Sequence, residues 1–500
     1  MTRYAGPACI VQGLSVERGR SVRRSRRNEA PTPVRQIADG LRRAWAPEAQ
    51  AQTAVFASAL LLEVFATLFG GASQTNALSL MAVELAALPL LFLSIYLTLA
   101  GAGPRGLAIP IVLLAAVIAV PVLQLIPLPA DLWTKLPGRG PVLQVLDVAG
   151  LGRPALPYSL TPQGTWRSAL GLAPPAAMFL GATLLSDGQR RVMAGLWLLL
   201  ATVSLSIGAL QLLSGPDSPL YFYPVTNAGS PVGLFSNRNH QAAFLLCLLP
   251  VAAVFAAEFR GIAEDWRAFT PLLALLYFFV GIVGVAVTHS RAGVFLSGAA
   301  LVGALAVVVS GGALRGRLRA AAGLAVGGAV AVGAVLLFGL APIVDRFYGG
   351  GELRFEGWPI VLKIAQSFLP LGSGLGSFDT VYRSVEPLTQ VSTVYFNHAH
   401  NDYLELWLET GFAGAALFAL FLLWFAVRAF VVWTGRGEGR NLAAALTVLV
   451  VLLLIHSLVD YPLRTQALAV LFAFACGGIA VFKPETSRRS VRAGAPDQLA

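Results

Sequence analysis

Stretches of about 20 apolar residues recur along this chain, each long enough as a helix to cross the hydrocarbon core of a bilayer. Lipid offers the backbone no hydrogen-bond partners, so chain segments of this kind must be helical. Twelve such runs can be read, at roughly 52–70, 77–100, 106–128, 168–186, 192–214, 240–258, 269–288, 291–310, 320–341, 403–430, 441–459 and 466–482. The expected fold class is therefore all-α, a polytopic inner-membrane helical bundle of about 12 transmembrane helices. With 56% apolar and only 12% charged residues, a soluble globular protein is excluded. The net charge of +11 does not point to nucleic acid, because the basic residues are scattered between apolar runs and gathered at the two ends. Cys9, Cys247 and Cys476 lie apart in a tail and two apolar runs, so no disulfide or metal framework is implied.

An even number of spans puts both termini on one side, and the bias of Lys and Arg toward inner loops selects the cytoplasm. In that orientation 25 of the 36 basic residues are inside, and every short inner loop carries at least one Arg. The first apolar run begins too late for a cleavable signal peptide. Residues 1–50 form a basic cytoplasmic extension in which Val34, Ile37, Ala38, Leu41 and Trp45 share one helical face, as in a short interfacial helix; a disordered tail fits the composition equally. Residues 51–228 form an N-terminal membrane region with an outer loop at 129–167, residues 229–482 a second membrane domain with a large outer loop at 342–402, and 483–500 a cytoplasmic tail. The glycines of LGSGLGSF, Gly372, Gly374 and Gly376, do not fit a nucleotide-binding pattern and are read as a tight turn.

Polar groups at the threshold of a span are costly unless they act, and NHAHNDYLELWLETGFAG at 397–414 sets two histidines and three acids there. If a helix begins near Asp402, then Asp402, Glu405 and Glu409 fall within about 60° of one another on one face. Such a stripe must meet a wet cavity or cations, since lipid would expel it. The separate Gly411-x-x-Gly414 face is expected to permit close helix packing. All five histidines, His240, His289, His398, His400 and His456, map to the outer ends of spans, which suits an outward-facing proton-handling site. Candidate cations are Arg291 in THSRAG, Arg354 and Lys363 in the large loop, and Arg238, Arg383 and Arg464. Several arginine forks meeting in an outer cavity would suit a pyrophosphate. The plainer reading has Arg238, Arg383 and Arg464 contacting lipid phosphate or pairing with Asp460 and Glu386. No Asp-x-Asp pair supports a metal-dependent sugar-nucleotide site.

Several of these stretches together carry a family likeness. His400-Asn401, followed after nine residues by Gly411-x-x-Gly414, stands with GLFSNRNHQAAF at 233–244, THSRAG at 288–293, RFEGWPIVLKIAQSFLPLGSGLGSF at 354–378 and HSLVDYPLR at 456–464. In this order they resemble the O-antigen ligase and polymerase superfamily of bacterial inner-membrane glycosyltransferases over roughly 230–470. The resemblance implies transfer of a glycan from undecaprenyl pyrophosphate, on the periplasmic face, to a hydroxyl of an acceptor such as lipid A-core, or of a second lipid-linked glycan in a polymerase. It implies His400 as catalytic histidine, and Arg291 and Arg354 as donor-binding residues. Arg238, Asn401 and Glu409 are further substrate-binding candidates from the residues themselves, and His398 with the Asp402, Glu405 and Glu409 stripe would either tune the basicity of His400 or bind sugar hydroxyls. A leaving pyrophosphate is already anionic, so fixed positive charge and a base beside the attacking hydroxyl suffice, without cofactor or metal. A secondary transporter also predicts twelve spans and buried acids, and Glu63 and Glu84 inside the first two runs keep it open. So does an inactive scaffold subunit of an envelope-polymer assembly.

Overall fold

The computed structural model describes residues 47–73, 77–258, 270–310, 353–388, 391 and 396–485. Among these the chain is almost wholly helical, its only sheet being a two-residue antiparallel clip. The N-terminal half contributes α1 (Pro47–Phe69), α2 (Ala77–Leu99) and α3 (Ala108–Gln124). Next come the clip strands β1 (Pro127–Leu128) and β2 (Leu156–Pro157), with α4 (Ala130–Trp133) and α5 (Gly140–Ala149) between them. Then follow α6 (Pro162–Gly171), α7 (Ala173–Leu184) and α8 (Asp187–Ser214), the last opened by a Ser186/Gln189 capping box. The C-terminal half holds α9 (Arg238–Glu258), α10 (Thr270–Val287), α11 (Arg291–Ser310), α12 (Leu353–Gln366) and α13 (Phe378–Arg383). It ends with α14 (Asp402–Thr434), α15 (Arg440–His456), a 3₁₀ turn (Pro462–Arg464) and α16 (Gln466–Val481).

Among the described residues, six helices are both long and apolar enough to span a membrane, at 50–69, 77–99, 187–214, 238–258, 291–310 and 402–434; α3, α15 and α16 are shorter apolar helices. The chain is an all-α, multi-pass membrane protein. The proposed ninth span at 320–341 and the interfacial helix at 34–45 lie outside the described residues. One expected span is revised. The run at 168–186 divides at Leu172 into α6 and α7, where Pro174 and Pro175 open a new helix and cannot donate to the old one. At 12 residues α7 is too short to span, and instead it is buried along most of its length against α2 and α16.

Burial ranks the long helices. In α9, 83% of the apolar stretch is enclosed, packed by α10, α11 and α15, whereas α14 encloses only 11% and turns most of its length outward. A second, smaller core forms where α12 and α13 meet the start of α14, around Val361, Phe368, Phe378, Tyr382, Ala399 and Leu408.

The start of α14 is broken on purpose. Gly411 adopts φ 55°, ψ −140°, so the amide of Phe412 leaves Leu408 and donates to Pro370 O at 2.9 Å. The carbonyls this strands are taken over from outside: Ser373 N donates to Leu408 O at 2.9 Å and Gly374 N to Glu409 O at 3.0 Å. Gln124 at the end of α3 completes the joint, donating to Glu409 O at 3.1 Å and accepting from Leu375 N at 2.8 Å. LGSGLGSF is thus a turn, as expected, with Gly372, Gly374 and Gly376 all at positive φ. The expectation for Gly411 needs correcting: it admits the 370–371 backbone, not a neighbouring helix.

A Cβ at Gly411 would lie 2.3 Å from Pro370 O in a left-handed backbone. Gly411→Ala should cost about 1–3 kcal/mol, whereas Gly298→Ala, where a Cβ meets nothing within 4 Å, should be neutral or mildly stabilising. Thermal midpoints of the two variants in detergent, followed by tryptophan fluorescence, test the contrast.

Candidate active site

The site grows from the entry to α14. Asn401 has extended backbone and caps the helix, its Oδ1 accepting from Tyr403 N at 3.0 Å and Leu404 N at 3.1 Å. Its Nδ2 donates to Leu458 O at 2.9 Å, tying the cap to the segment after α15. Asp402 strengthens the same tie, its amide donating to Ser457 O at 3.0 Å and its Oδ2 accepting from Ser457 Oγ at 2.8 Å. Immediately before the cap, His400 holds φ +49°, a conformation side-chain-bearing residues rarely adopt. Its Nδ1 lies 2.9 Å from the carbonyl of His398. A carbonyl only accepts, so Nδ1 carries the hydrogen and the neutral ring has its lone pair on Nε2.

The acidic stripe meets a cation, as the spacing required. Arg464, on the 3₁₀ turn, reaches Asp402 Oδ1 at 3.6 Å, Glu405 Oε1 at 3.1 Å and Glu409 Oε2 at 3.1 Å. The expected partners for this arginine, Asp460 and Glu386, are replaced by these three carboxylates. Burial favours loss of the Arg464 charge, but Glu405, Glu409 and Asp402 outweigh it and hold the guanidinium above its ordinary range. Glu405 is almost fully buried and also accepts from Ala399 N at 2.9 Å, with His398 Nδ1 at 2.8 Å. Glu409 is wholly enclosed, its Oε1 accepting from Phe378 N at 3.2 Å.

Tyr461 forms a second hub. Its ring centroid stands 4.3 Å from that of His398, 4.9 Å from His400 and 5.0 Å from His240. Beside it, Asp460 accepts from Asn239 Nδ2 at 2.6 Å and from Tyr461 N at 2.9 Å, while His240 Nε2 faces it at 3.7 Å, beyond hydrogen-bond range. Burial opposes ionisation of Asp460, yet the electrostatic pull of His240, His400 and His456 prevails, keeping it well below the usual carboxylate range.

Two more helices converge on the same end of the bundle. Trp358 Nε1 of α12 donates to Ala399 O at 2.8 Å, and Phe396 lies between α12 and His400, stacked on the imidazole at a 5.2 Å centroid distance and 16° tilt. Gly357 makes room, since a Cβ there would sit 3.0 Å from the Phe396 ring. Arg354 lies one turn before Trp358 on this helix. Helix α11, which Arg291 begins, packs its first turn on α9, where a Cβ at Gly293 would be 2.9 Å from Ala242 Cβ. Ala242 follows His240 by two residues. Arg238 is the first residue of the same α9.

His240, His398 and His400 therefore surround one tyrosine, and the helices bearing Arg238, Arg291 and Arg354 all present their first turns at that end. Asn401 and Glu409 were expected to touch substrate; their polar atoms are instead committed to the cap, to Leu458, to Phe378 and to Arg464. Arg383 pairs with Asp379 at 2.7 Å on an exposed face, and Lys363 is exposed on α12. Glu63 is fully buried in α1 with neither carboxylate oxygen hydrogen-bonded, and Glu84 is half-buried in α2. Tyr461 was not singled out from the sequence, which named His240 only as one of the outer histidines and Asp460 only as a possible arginine partner. HSLVDYPLR and the one-sided histidines were the available signals.

Residues 276–419 match the family model described as O-Antigen ligase (Wzy_C). No curated protein matches the chain. Over that stretch the chain is similar to the O-antigen ligase family, whose members are membrane glycosyltransferase-like enzymes. The matched stretch contains Arg291, Arg354, His400 and Glu405, while Arg238, Asp460 and Arg464 lie outside it.

Removing Arg464 strands three carboxylates at a membrane threshold. Arg464→Leu should cost about 3–5 kcal/mol, against about 0–1 kcal/mol for Arg383→Leu on its exposed pair. Thermal midpoints of the purified variants decide it, and equal midpoints would remove Arg464 from its central place.

Proposed function

We propose that this chain transfers a glycan from undecaprenyl pyrophosphate to an acceptor hydroxyl, such as one on lipid A-core, at the periplasmic face of the inner membrane, with both termini cytoplasmic. The observation that carries the reading is the setting of His400: a strained backbone and a ring whose Nδ1 is committed to a carbonyl. A base needs a defined tautomer, and the carbonyl at Nδ1 leaves the lone pair on Nε2.

In this mechanism Nε2 of His400 takes the proton of the acceptor hydroxyl as that oxygen bonds to the anomeric carbon. The bond from that carbon to the pyrophosphate oxygen breaks, and its electron pair leaves with the lipid pyrophosphate. Arg291 and Arg354, with Arg238 nearby, hold the departing charge; guanidinium forks match phosphate oxygens in pairs and act where negative charge grows. Asp460 sits beside the histidine cluster as a fixed negative charge that favours the imidazolium formed during transfer. Asn401 and Glu409 act on the scaffold.

His400→Ala should leave the protein inserted and lower transfer by about 10²–10⁴-fold, the usual worth of a positioned base. Unchanged surface glycans in a strain carrying only this variant would exclude the role. Arg291→Lys should also impair transfer, because a point charge cannot replace a two-pronged contact. Wild-type turnover with lysine there would withdraw the pyrophosphate assignment. Deleting the gene separates the acceptors: lipopolysaccharide without O-chain marks a ligase, a single repeat marks a polymerase, and missing secreted polymer marks an exopolysaccharide enzyme.

A further inference from the structure

We infer that Glu405, anchored by Arg464, is the positioning residue that sets the orientation of His400, so that the acidic stripe of α14 is a mount for the imidazole and not a sugar-binding surface. This deepens the proposed function, because it takes His400 as the base.

The argument starts from what the Glu405 carboxylate holds. Oε1 contacts His398 Nδ1 at 2.8 Å and Arg464 Nη1 at 3.1 Å, and Oε2 accepts from Ala399 N at 2.9 Å. The two residues it grips are the two that precede His400. One of them, His398, supplies the carbonyl 2.9 Å from His400 Nδ1. Any rotation of the 398–399 unit would therefore carry away the acceptor that defines the tautomer of His400. A non-glycine residue at φ +49° costs about 1–3 kcal/mol and persists only where its surroundings over-determine it. Glu405 on one side and the Asn401 cap on the other supply that constraint.

The burial pattern separates a mount from other roles. Glu405 is 1% exposed, so no substrate oxygen reaches it. A proton relay through His398 lacks an exit: its Nε2 is buried with no hydrogen-bond partner among the described residues, and its ring lies against Tyr461. A buried carboxylate bonded to an imidazole Nδ1 orients it and favours one tautomer. Here the held imidazole belongs to His398, and the orientation passes to His400 through the backbone. The titratable and charged groups that the contacts place near His400 include His398 just before α14, Asp402 and Glu405 in its first turn, His456 at the end of α15, Asp460, Tyr461 and Arg464 after it, and His240 on α9.

The test uses full-length protein in lipid nanodiscs with lipid-linked glycan extracted from cells lacking the gene, together with diethyl pyrocarbonate labelling of each histidine read by mass spectrometry. In wild-type protein His400, half-buried, should label, and His398 should be protected. Glu405→Gln, which keeps the shape but not the charge, should lower kcat about 10- to 100-fold, the usual effect of losing a partner that orients a histidine. KM should change less than about threefold, since no contact with substrate is removed. His398 should become labelled, and the pH profile of His400 labelling should move. Arg464→Lys should give the same changes in weaker form. Wild-type kcat with wild-type labelling in either folded variant overturns the inference. So does labelling of His398 as fast as His400 in the unaltered protein, a measurement that needs no variant to fold. Absent transfer by the wild type would sink the proposed function, while the labelling would still decide whether Glu405 holds the 398–400 segment.

Discussion

A guanidinium ringed by three carboxylates sits where the chain enters its longest apolar helix. Each of these charges alone would be expensive at such a depth, and together they are tolerable only because one fork reaches three acids. The cluster joins the first turns of α14 to the turn between α15 and α16. Around that junction the chain can place features that would otherwise not persist: a histidine in left-handed backbone, a second histidine buried against a carboxylate, and an aspartate fully enclosed among imidazoles.

Next to it, the break at Gly411 solves a different problem. A helix that starts at the edge of the membrane must leave some carbonyls without their usual donors if it bends, and nothing in lipid will replace them. The 371–377 turn does so with its own amides, helped by one glutamine from α3. The consequence reaches the site: Glu409, just before the break, is held by Phe378 N and points at Arg464. The outer turns are therefore part of the rigid support of the cluster.

Much of this was legible beforehand. The apolar runs, the common end shared by the histidines and the one-sided placement of Asp402, Glu405 and Glu409 follow from local periodicity, which depends on nothing beyond neighbouring residues. The partner of the stripe did not follow. Arg464 lies 55 residues beyond Glu409, and several arginines were equally plausible by charge alone. Likewise Asn401 and Glu409 resembled ligands because polar residues at a threshold attract that reading, and only their actual hydrogen bonds show them serving the fold.

Composition and period, acting over one or two helical turns, determined that this chain is a membrane-spanning helical protein, where its helices lie and which residue types gather at one end. Tertiary structure alone decided that Tyr461 stands among three histidines, that Gly411 breaks its helix, and that Arg464 answers the acids. Those outcomes depend on contacts between segments tens to hundreds of residues apart, and a buried charge or an orphaned carbonyl accepts whichever distant partner the packing delivers.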